Sequence, residues 1–540
     1  MYGKTMEKHA MTQAEKNISP PHSCGMVWLV GAGPGDPGLC TLRAAQCIRE
    51  ADIILYDALV NPRLLDHADP ACERIAAGKR AGGDAIEQDT LNAMMADFAR
   101  AGKRICRLKG GDPLLLGRGG EEAAYLRAQG IPFEIVPGVS SASAAPAAAG
   151  IPLTHRGVSS AVRIVSGHEA PDKDAGQIHW DAVRPDGGTL VVLMGLRRLE
   201  AIAATLLANG WAAETPAAVI AHGTLPTQRT VCAPLAQIAR SAAEHALDAP
   251  AVLVVGEVVR LREQLAWLEQ RPLFGRCIMV VRPRAQAVET AQALAALGAE
   301  ALIAPLIRIE PPADSPALAA ALAQLPQTDW VVFTSVHGVD AVMACIARSG
   351  GDARAFGGVR IAAVGPATAA RLEACGLVPD LVPERYLTEA LPDALASQGP
   401  LAGQRIMLPR SAVASSSLGD ALRACGAVVR EVAAYRVLPG DPLDDTLLER
   451  LEKGRVDLAL FASPSEVDAF IAAVPSARRE NTLPHIAAAA IGPVTERALR
   501  GAGLTVALSA PEHSIPGLLR AVCDYFAQNP RKNPRKEGPA

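Results

Sequence analysis

The second half of the chain repeats itself, and that repeat restricts the fold more than any other feature. Trp330-Val-Val-Phe-Thr-Ser335, then Val336 and HGVDAVMA, parallels Leu458-Ala-Leu-Phe-Ala-Ser463 followed by PSEVDAFIA. Further on, Val364-Gly-Pro-Ala-Thr368 with AARLEACGL parallels Ile491-Gly-Pro-Val-Thr495 with ERALRGAGL. Ser335 stands 30 residues before Gly365, and Ser463 stands 29 before Gly492. Each copy reads as an apolar strand, a turn and a helix. The half is therefore expected to hold two related α/β lobes, with a ligand in the cleft between them.

At 540 residues the chain is too long for one core, and its length predicts roughly two to four folding units. Aromatics make up only 4% while Ala, Val, Leu and Gly abound, which fits helices packed on parallel sheets rather than an all-β sandwich. A formal charge of −3 with no long basic stripe argues against a nucleic-acid partner. The 11 cysteines form no CxxC pair and no Cys/His array, so no metal is expected and a reduced compartment is. No apolar run reaches the about 18 residues of a membrane span, and MYGKTMEKHAMTQAEKNISPPHS has no signal-peptide core. A cytoplasmic protein without membrane contact is expected. Residues 1–24 read as a disordered leader and 528–540 as a disordered tail. Between them, 25–265 and 276–527 read as two halves joined by a linker at 266–275, where a Pro/Phe/Gly turn precedes a fresh strand at Cys277.

The first half opens with a strand, Met26–Val30, and the loop Gly31-Ala-Gly33-Pro34-Gly35-Asp36-Pro37-Gly38. Asp57 ends the next strand, where a dinucleotide enzyme places a ribose-binding acid. An oxidoreductase is thus one reading. Against it, position 36 is Asp rather than the third glycine, and Pro34 and Pro37 remove N–H groups that would hold a pyrophosphate. The following helix is expected to start only near Thr41, with its hydroxyl as cap. The loop suits a ligand without a phosphate.

Further motifs follow in order: Gly78-Lys79-Arg80, Arg107-Leu-Lys109-Gly110-Gly111-Asp112-Pro113, Gly117-Arg118-Gly119-Gly120-Glu121-Glu122, Val136-Pro137-Gly138-Val139-Ser140-Ser141, Gly150-Ile151-Pro152-Leu153-Thr154-His155-Arg156 and Leu193-Met194-Gly195. This series, over residues 26–262, resembles the tetrapyrrole methylase family and within it uroporphyrinogen-III C-methyltransferase. The resemblance implies a two-lobed α/β fold that binds S-adenosylmethionine in its cleft, as a homodimer. It implies cofactor contacts at Pro34, Gly110, Gly111, Asp112, Leu115, Ser140, Ser141, Met194, Gly223 and Ala251, and Asp57 and Lys79 as proton acceptor and donor. Where relatives carry Phe-Ile-Phe, this chain has Leu114-Leu115-Leu116. The substrate is a polycarboxylate, so Arg80, Arg107, Lys109, Arg118 and Arg156 are expected partners. Two methyl transfers would give precorrin-2. Some relatives carry a precorrin-2 dehydrogenase/chelatase domain ahead of this part; with so few residues before Met26, that activity is not expected.

Val280-Val281-Arg282-Pro283-Arg284, Val332-Phe333-Thr334-Ser335-Val336-His337-Gly338, the two Gly-Pro-x-x-Thr turns and Ala434-Tyr435-Arg436 resemble uroporphyrinogen-III synthase over residues 276–525. The resemblance implies that 277–307 and 438–525 build one lobe and 312–434 the other, with Pro305, Pro311-Pro312 and Pro439 at the crossings. It also implies closure of hydroxymethylbilane to uroporphyrinogen III with inversion of ring D. Tyr435 is the expected donor to the departing hydroxyl, with Ser335, Thr368, Ser463 and Thr495 as substrate contacts. The threonines fit equally as helix caps and the serines as strand-end turn residues. Arg282 and Arg284 read equally as solvated loop charges and as substrate clamps. A non-catalytic, degenerate synthase module is the alternative for this half.

Overall fold

The computed structural model describes residues 25–78, 86–168, 180–310, 315–384, 388–412 and 414–530. The chain divides into two compact units, residues 1–271 and 272–540. Each unit holds two five-stranded sheets.

In the first unit, β1 (Met26–Gly31), β2 (Ile53–Tyr56), β3 (Glu73–Ala76), β4 (Arg104–Lys109) and β5 (Phe133–Val136) lie in the order β3-β2-β4-β1-β5, all parallel. Buried clusters line both faces, and β1 and β2 are near-continuous apolar runs. The second sheet comprises β6 (Val162–Ser166), β7 (Thr189–Leu193), β8 (Pro216–Ala221), β9 (Arg229–Pro234) and β10 (Ala251–Val255), in the order β6-β7-β10-β8-β9. Only β6 and β7 run parallel here. The parallel sheets expected from composition are thus found in the first lobe and not the second. The connection from β8 to β9 is too short for a crossover helix, which forces an antiparallel pair.

The loop after β1 behaves as its prolines require. Asp36 caps a short 3-10 turn over Pro37–Leu39, its Oδ1 accepting from Gly38 N at 2.8 Å. The helix Leu42–Glu50 starts only afterwards, with Thr41 Oγ1 accepting from Ala44 N at 3.1 Å. At the other end of the unit, Trp267 Nε1 donates to Ala147 O at 2.9 Å.

The second unit contains β11 (Cys277–Val281), β12 (Glu300–Ile303), β13 (Ile307–Glu310), β14 (Trp330–Phe333), β15 (Arg360–Ala363), β16 (Arg405–Ser411), β17 (Val428–Pro439), β18 (Leu458–Phe461), β19 (Ala487–Ala490) and β20 (Thr505–Ser509). One sheet is β12-β11-β18-β19-β20, all parallel; the other is β13-β17-β16-β14-β15. The sequence repeat occupies equivalent places in the two. Phe333 pairs with Ala363 as Phe461 pairs with Ala490. Leu273, just before β11, is fully buried in this unit's core.

Pro305 falls between β12 and β13, outside either strand, but at the other crossing pairing runs up to Pro439 itself. β13 and the end of β17 form an antiparallel ribbon, with Ile307 opposite Pro439. Pro439 is tolerated there because it ends the strand, where a missing N–H breaks no ladder bond. Pro311 and Pro312 lie outside the described residues.

Candidate active sites

Parallel sheets open a crevice at the carboxyl ends of their strands, and the first unit gathers its charged groups there. Asp57 follows β2 directly, its N–H bonded to Leu108 O at 3.1 Å. Arg107 and Lys109 alternate on β4 and therefore share a face. That strand is the middle of the sheet, and both residues are only 3% exposed. They converge on Glu122, wholly buried in the helix Gly119–Ala128. Arg107 Nε lies 3.1 Å and Lys109 Nζ 2.9 Å from Glu122 Oε1. Gln88 Nε2 adds a third donor at 3.1 Å. Arg107 Nη2 reaches the other way, to Asp57 Oδ1 at 2.5 Å. Two cations and two anions thus compensate one another, as buried charges must. Burial, with the neighbouring Arg107, still lowers the pKa of the Lys109 ammonium.

This geometry corrects one expectation. Arg107 and Lys109 are not exposed charges awaiting substrate carboxylates: both side chains are buried in mid-sheet, and they pair with Glu122 and, for Arg107, Asp57. In the sequence Glu122 is only part of a motif; the available signal is Arg-Leu-Lys at alternate positions, needing a counter-ion nearby. Arg118 is exposed and pairs with Glu121 at 2.7 Å, and Arg156 is exposed. Lys79 and Arg80 lie outside the described residues.

The expected cofactor contacts surround the same crevice. Gly33 and Gly111 exchange backbone hydrogen bonds of 3.2 and 2.7 Å, joining the loops after β1 and β4. Gly111 sits at φ +69°, and a Cβ there would come within 3.9 Å of Ser140 Cα and Ser141 N. Asp112 does not present a free carboxylate. Its Oδ1 accepts from Leu114 N and Leu115 N at 2.8 and 3.1 Å, and its Oδ2 from Gly138 N at 3.1 Å. It shapes the turn that follows Gly110. Leu115 is half-buried against the second sheet's core, while Leu114 and Leu116 are exposed. Ser140 caps the helix that begins at Ser141, accepting from Ala142 N at 3.2 Å.

From the second lobe, Met194 is 52% exposed with φ +58°, a left-handed backbone rare outside glycine. Gly223 lies between His222 and Thr224, also at positive φ. Thr224 Oγ1 accepts from Asp36 N at 3.1 Å, tying this lobe to the half-buried Pro34 loop. Ala251 opens β10 beside Ala221. Such clustered backbone strain marks places held by their surroundings, commonly for a ligand.

In the second unit, the structure joins two expected site residues directly. Ser335 caps the helix Val336–Arg348, Oγ accepting from Gly338 N at 3.1 Å, and the same oxygen lies 3.1 Å from Tyr435 Oη. A register shift between Arg410 and Ser411 places Tyr435 opposite Ser411. Such irregularities re-aim side chains. The imidazole of His337 stands edge-on to Tyr435, with centroids 5.7 Å apart. In the repeat's other copy, Ser463 caps the helix Pro464–Ala473 and lies 3.0 Å from Ser465 Oγ. Glu466 there reaches back to Ala462 N at 2.5 Å, and its burial raises the carboxyl pKa to about 7.

Thr368 and Thr495 are neither caps nor exposed contacts. Each lies in the first turn of its helix, 4% and 3% exposed, and the capping positions are Gly365 and Gly492. Arg282 is not a solvated loop charge. It donates to Thr290 Oγ1 at 2.9 Å and Gln286 Oε1 at 2.8 Å, and Gln286 Nε2 lies 3.0 Å from His337 Nε2. Neither Gln286 nor His337 is singled out by sequence reasoning, since neither type stands out in a helical stretch.

Two units, each with a pair of α/β lobes around polar groups, define a pair of small-molecule enzymes on one chain. Residues 26–239 match the tetrapyrrole (corrin/porphyrin) methylases, and residues 288–520 match uroporphyrinogen-III synthase HemD. A porphyrin biosynthesis protein HemD of Ruminiclostridium josui is 32% identical over 482 residues, 88% of this chain and 93% of that protein. The siroheme synthase of Pseudomonas fluorescens (strain Pf0-1) is 47% identical over 268 residues, 49% of this chain and 57% of that protein; the chain thus spans just over half of that relative. Among solved structures, uroporphyrin-III-C-methyltransferase from Thermus thermophilus is 37% identical, covering 45% of this chain and 98% of that one, with a TM-score of 0.37. A mutant uroporphyrinogen III synthase from the same organism is 22% identical, covering 46% and 98%, with a TM-score of 0.36. The chain belongs to the tetrapyrrole methylases through its first half and to the uroporphyrinogen-III synthases through its second. It is a bifunctional enzyme of tetrapyrrole biosynthesis, a uroporphyrinogen-III C-methyltransferase joined to a uroporphyrinogen-III synthase.

Proposed function

We propose that the second half closes hydroxymethylbilane to uroporphyrinogen III with inversion of ring D, and that the first half methylates this product twice to precorrin-2. The methyl donor we assign is S-adenosylmethionine. The residues around the first crevice fit such a group. Gly111 leaves room before Ser140 and Ser141, Leu114–Leu116 supply an apolar wall, and Met194 holds a strained backbone in the open. Pro34 and Pro37 offer no N–H to a phosphate. When bound, the sulfonium supplies an activated methyl group.

The chain's own part is to place the pyrrole carbon and remove a proton. Asp57, exposed at its edge and anchored by Arg107, takes that proton, while Lys79 is assigned as the donor. The observation that carries this reading is the Asp57–Arg107–Glu122 cluster, which fixes one carboxylate at the crevice against buried charge. In the second half, Ser335 Oγ accepts from Gly338 N and shares a hydrogen bond with Tyr435 Oη in which either oxygen can donate. In the arrangement where the serine donates, the phenol proton is left for the departing hydroxyl, and that is the state we assign. Siroheme synthases are among the relatives of this chain, so we place the product on the sirohaem branch, with cobalamin the other outlet of precorrin-2. We further assign a homodimer through the first half and a cytoplasmic location; among the described residues no helix is long and apolar enough to cross a membrane.

Anaerobic incubation with freshly made hydroxymethylbilane, with and without S-adenosylmethionine, tests this. Isomer III alone, then a doubly methylated product with the donor, is expected by isomer analysis and mass. Isomer I alone would refute an active synthase half and leave the degenerate module. Supplied uroporphyrinogen III that gained no methyl group would refute the methyltransferase assignment.

A further inference from the structure

The second unit contains a hydrogen-bonded chain, Arg282–Gln286–His337, that runs from one lobe to the other and ends beside Tyr435. Behind it stands Glu466, 3% exposed, whose Oε1 lies 4.0 Å from Arg282 Nε, an ionic contact rather than a hydrogen bond. Arg282 Nη2 donates to Gln286 Oε1 at 2.8 Å, and Gln286 Nε2 meets His337 Nε2 at 3.0 Å. Arg282 follows β11 and Gln286 lies in the helix Arg284–Ala296, both in the first lobe. His337 belongs to the helix after β14 in the second lobe.

Donor and acceptor rules fix the protons along this chain. A guanidinium only donates, so the Gln286 oxygen must face Arg282 and its NH2 must face His337. An amide NH2 also only donates. His337 Nε2 must therefore accept, which places the imidazole proton on Nδ1 and leaves the ring neutral. Protonation of His337 would set donor against donor and break the link. The charged and titratable groups around the ring agree with neutrality. Burial lowers the His337 pKa; Asp340, engaged by Arg371 at 2.5 Å, opposes this, and Arg282 reinforces it. Glu466 and Glu289 act on Arg282, and Tyr435 packs against the ring from β17.

We propose that His337, held across the cleft by Gln286 as the neutral Nδ1–H tautomer, is a positioning residue that sets the lobe spacing and ring orientation at which Tyr435 acts. The role rests on the reading of Tyr435 as donor to the leaving hydroxyl. His337 itself moves no proton; it acts through the tyrosine it packs against.

The test uses the full chain and fresh hydroxymethylbilane with Gln286→Leu, His337→Phe, their double variant, His337→Gln and Tyr435→Phe. Either single change is expected to lower kcat about tenfold with KM within about twofold, a loss on the scale of one positioning contact. The double variant should be no slower than either single one, because both cut the same link. His337→Gln, whose amide oxygen can accept from Gln286, should restore most of the rate. Wild-type kcat should fall as acid protonates His337, and that acid limb should vanish in Gln286→Leu. Multiplicative losses in the double variant, or an acid limb unchanged in Gln286→Leu, would overturn the proposal. Normal kcat in Tyr435→Phe would remove the tyrosine reading and, with it, the positioning role that rests on it. Normal kcat in Gln286→Leu and His337→Phe beside an impaired Tyr435→Phe would remove the positioning role alone. Nitrogen-15 spectra of labelled histidine in the wild-type chain add a readout independent of variant folding: an Nε2–H tautomer at His337 would also overturn it.

Discussion

The two halves hold their reactive groups by different means. In the first, Asp57 is fixed by buried charges drawn from a strand and a helix, Arg107, Lys109 and Glu122, whose net positive charge its own carboxylate balances. In the second, Tyr435 is placed by a ladder irregularity, a capping serine and an edge-on imidazole, with ordinary hydrogen bonds throughout. Buried charge is intolerant of substitution, because removing one partner leaves the others uncompensated. Caps and neutral hydroxyl contacts accept several residue types at small cost. The first design therefore demands particular residues at fixed spacing, while the second demands mainly a backbone path.

The sharpest way to break this contrast is Glu122→Gln. It leaves Arg107 and Lys109 against an amide, and should destabilise the first unit by about 3–5 kcal/mol in urea unfolding while the second unit's transition stays put. Equal stability with wild type would show that the cluster is not what holds the site.

Asp57→Asn should reduce methylation of supplied uroporphyrinogen III by about a hundredfold or more, with synthase activity retained on the same chain. Tyr435→Phe should lower isomer III formation about tenfold in the bilane assay, and methylation should be unaffected.

Glu466 tests whether the second half also carries a charge problem. Its folded pKa is raised from 4.5 to about 7, chiefly by burial, so the folded state favours the protonated acid. That stabilisation is full below the ordinary carboxylate pKa and is lost as pH rises through about 7. The melting temperature of the second unit should therefore fall across that window, and Glu466→Gln should flatten the dependence.

The smallest effects concern the duplicated caps. Ser335→Ala and Ser463→Ala should each cost about 1 kcal/mol of stability in denaturant unfolding. Only Ser335→Ala should also alter the isomer ratio, because only that serine touches Tyr435.

Much of this is legible in the sequence. The repeat around Ser335 and Ser463 announces two related lobes, and the structure pairs Phe333 with Ala363 as it pairs Phe461 with Ala490. Pro34, Pro37 and Thr41 announce a loop that delays its helix. Less legible is the direction of the second sheet in the first unit, since strand order depends on which loops are short. Arg107 and Lys109 look like substrate clamps because charge at a motif suggests a ligand; their burial follows from β4 standing in mid-sheet.

Local backbone preference and periodicity were enough to set the two halves, the α/β character and the stretches where glycine and proline shape loops, because each of these is a property of a short run of residues. Which polar groups meet was settled by the fold. Arg107 reaches Asp57 from the neighbouring strand, Tyr435 reaches Ser335 across 100 residues, and Gln286 reaches His337 across 51. Such pairings depend on strand order and lobe crossing, which no local spacing encodes.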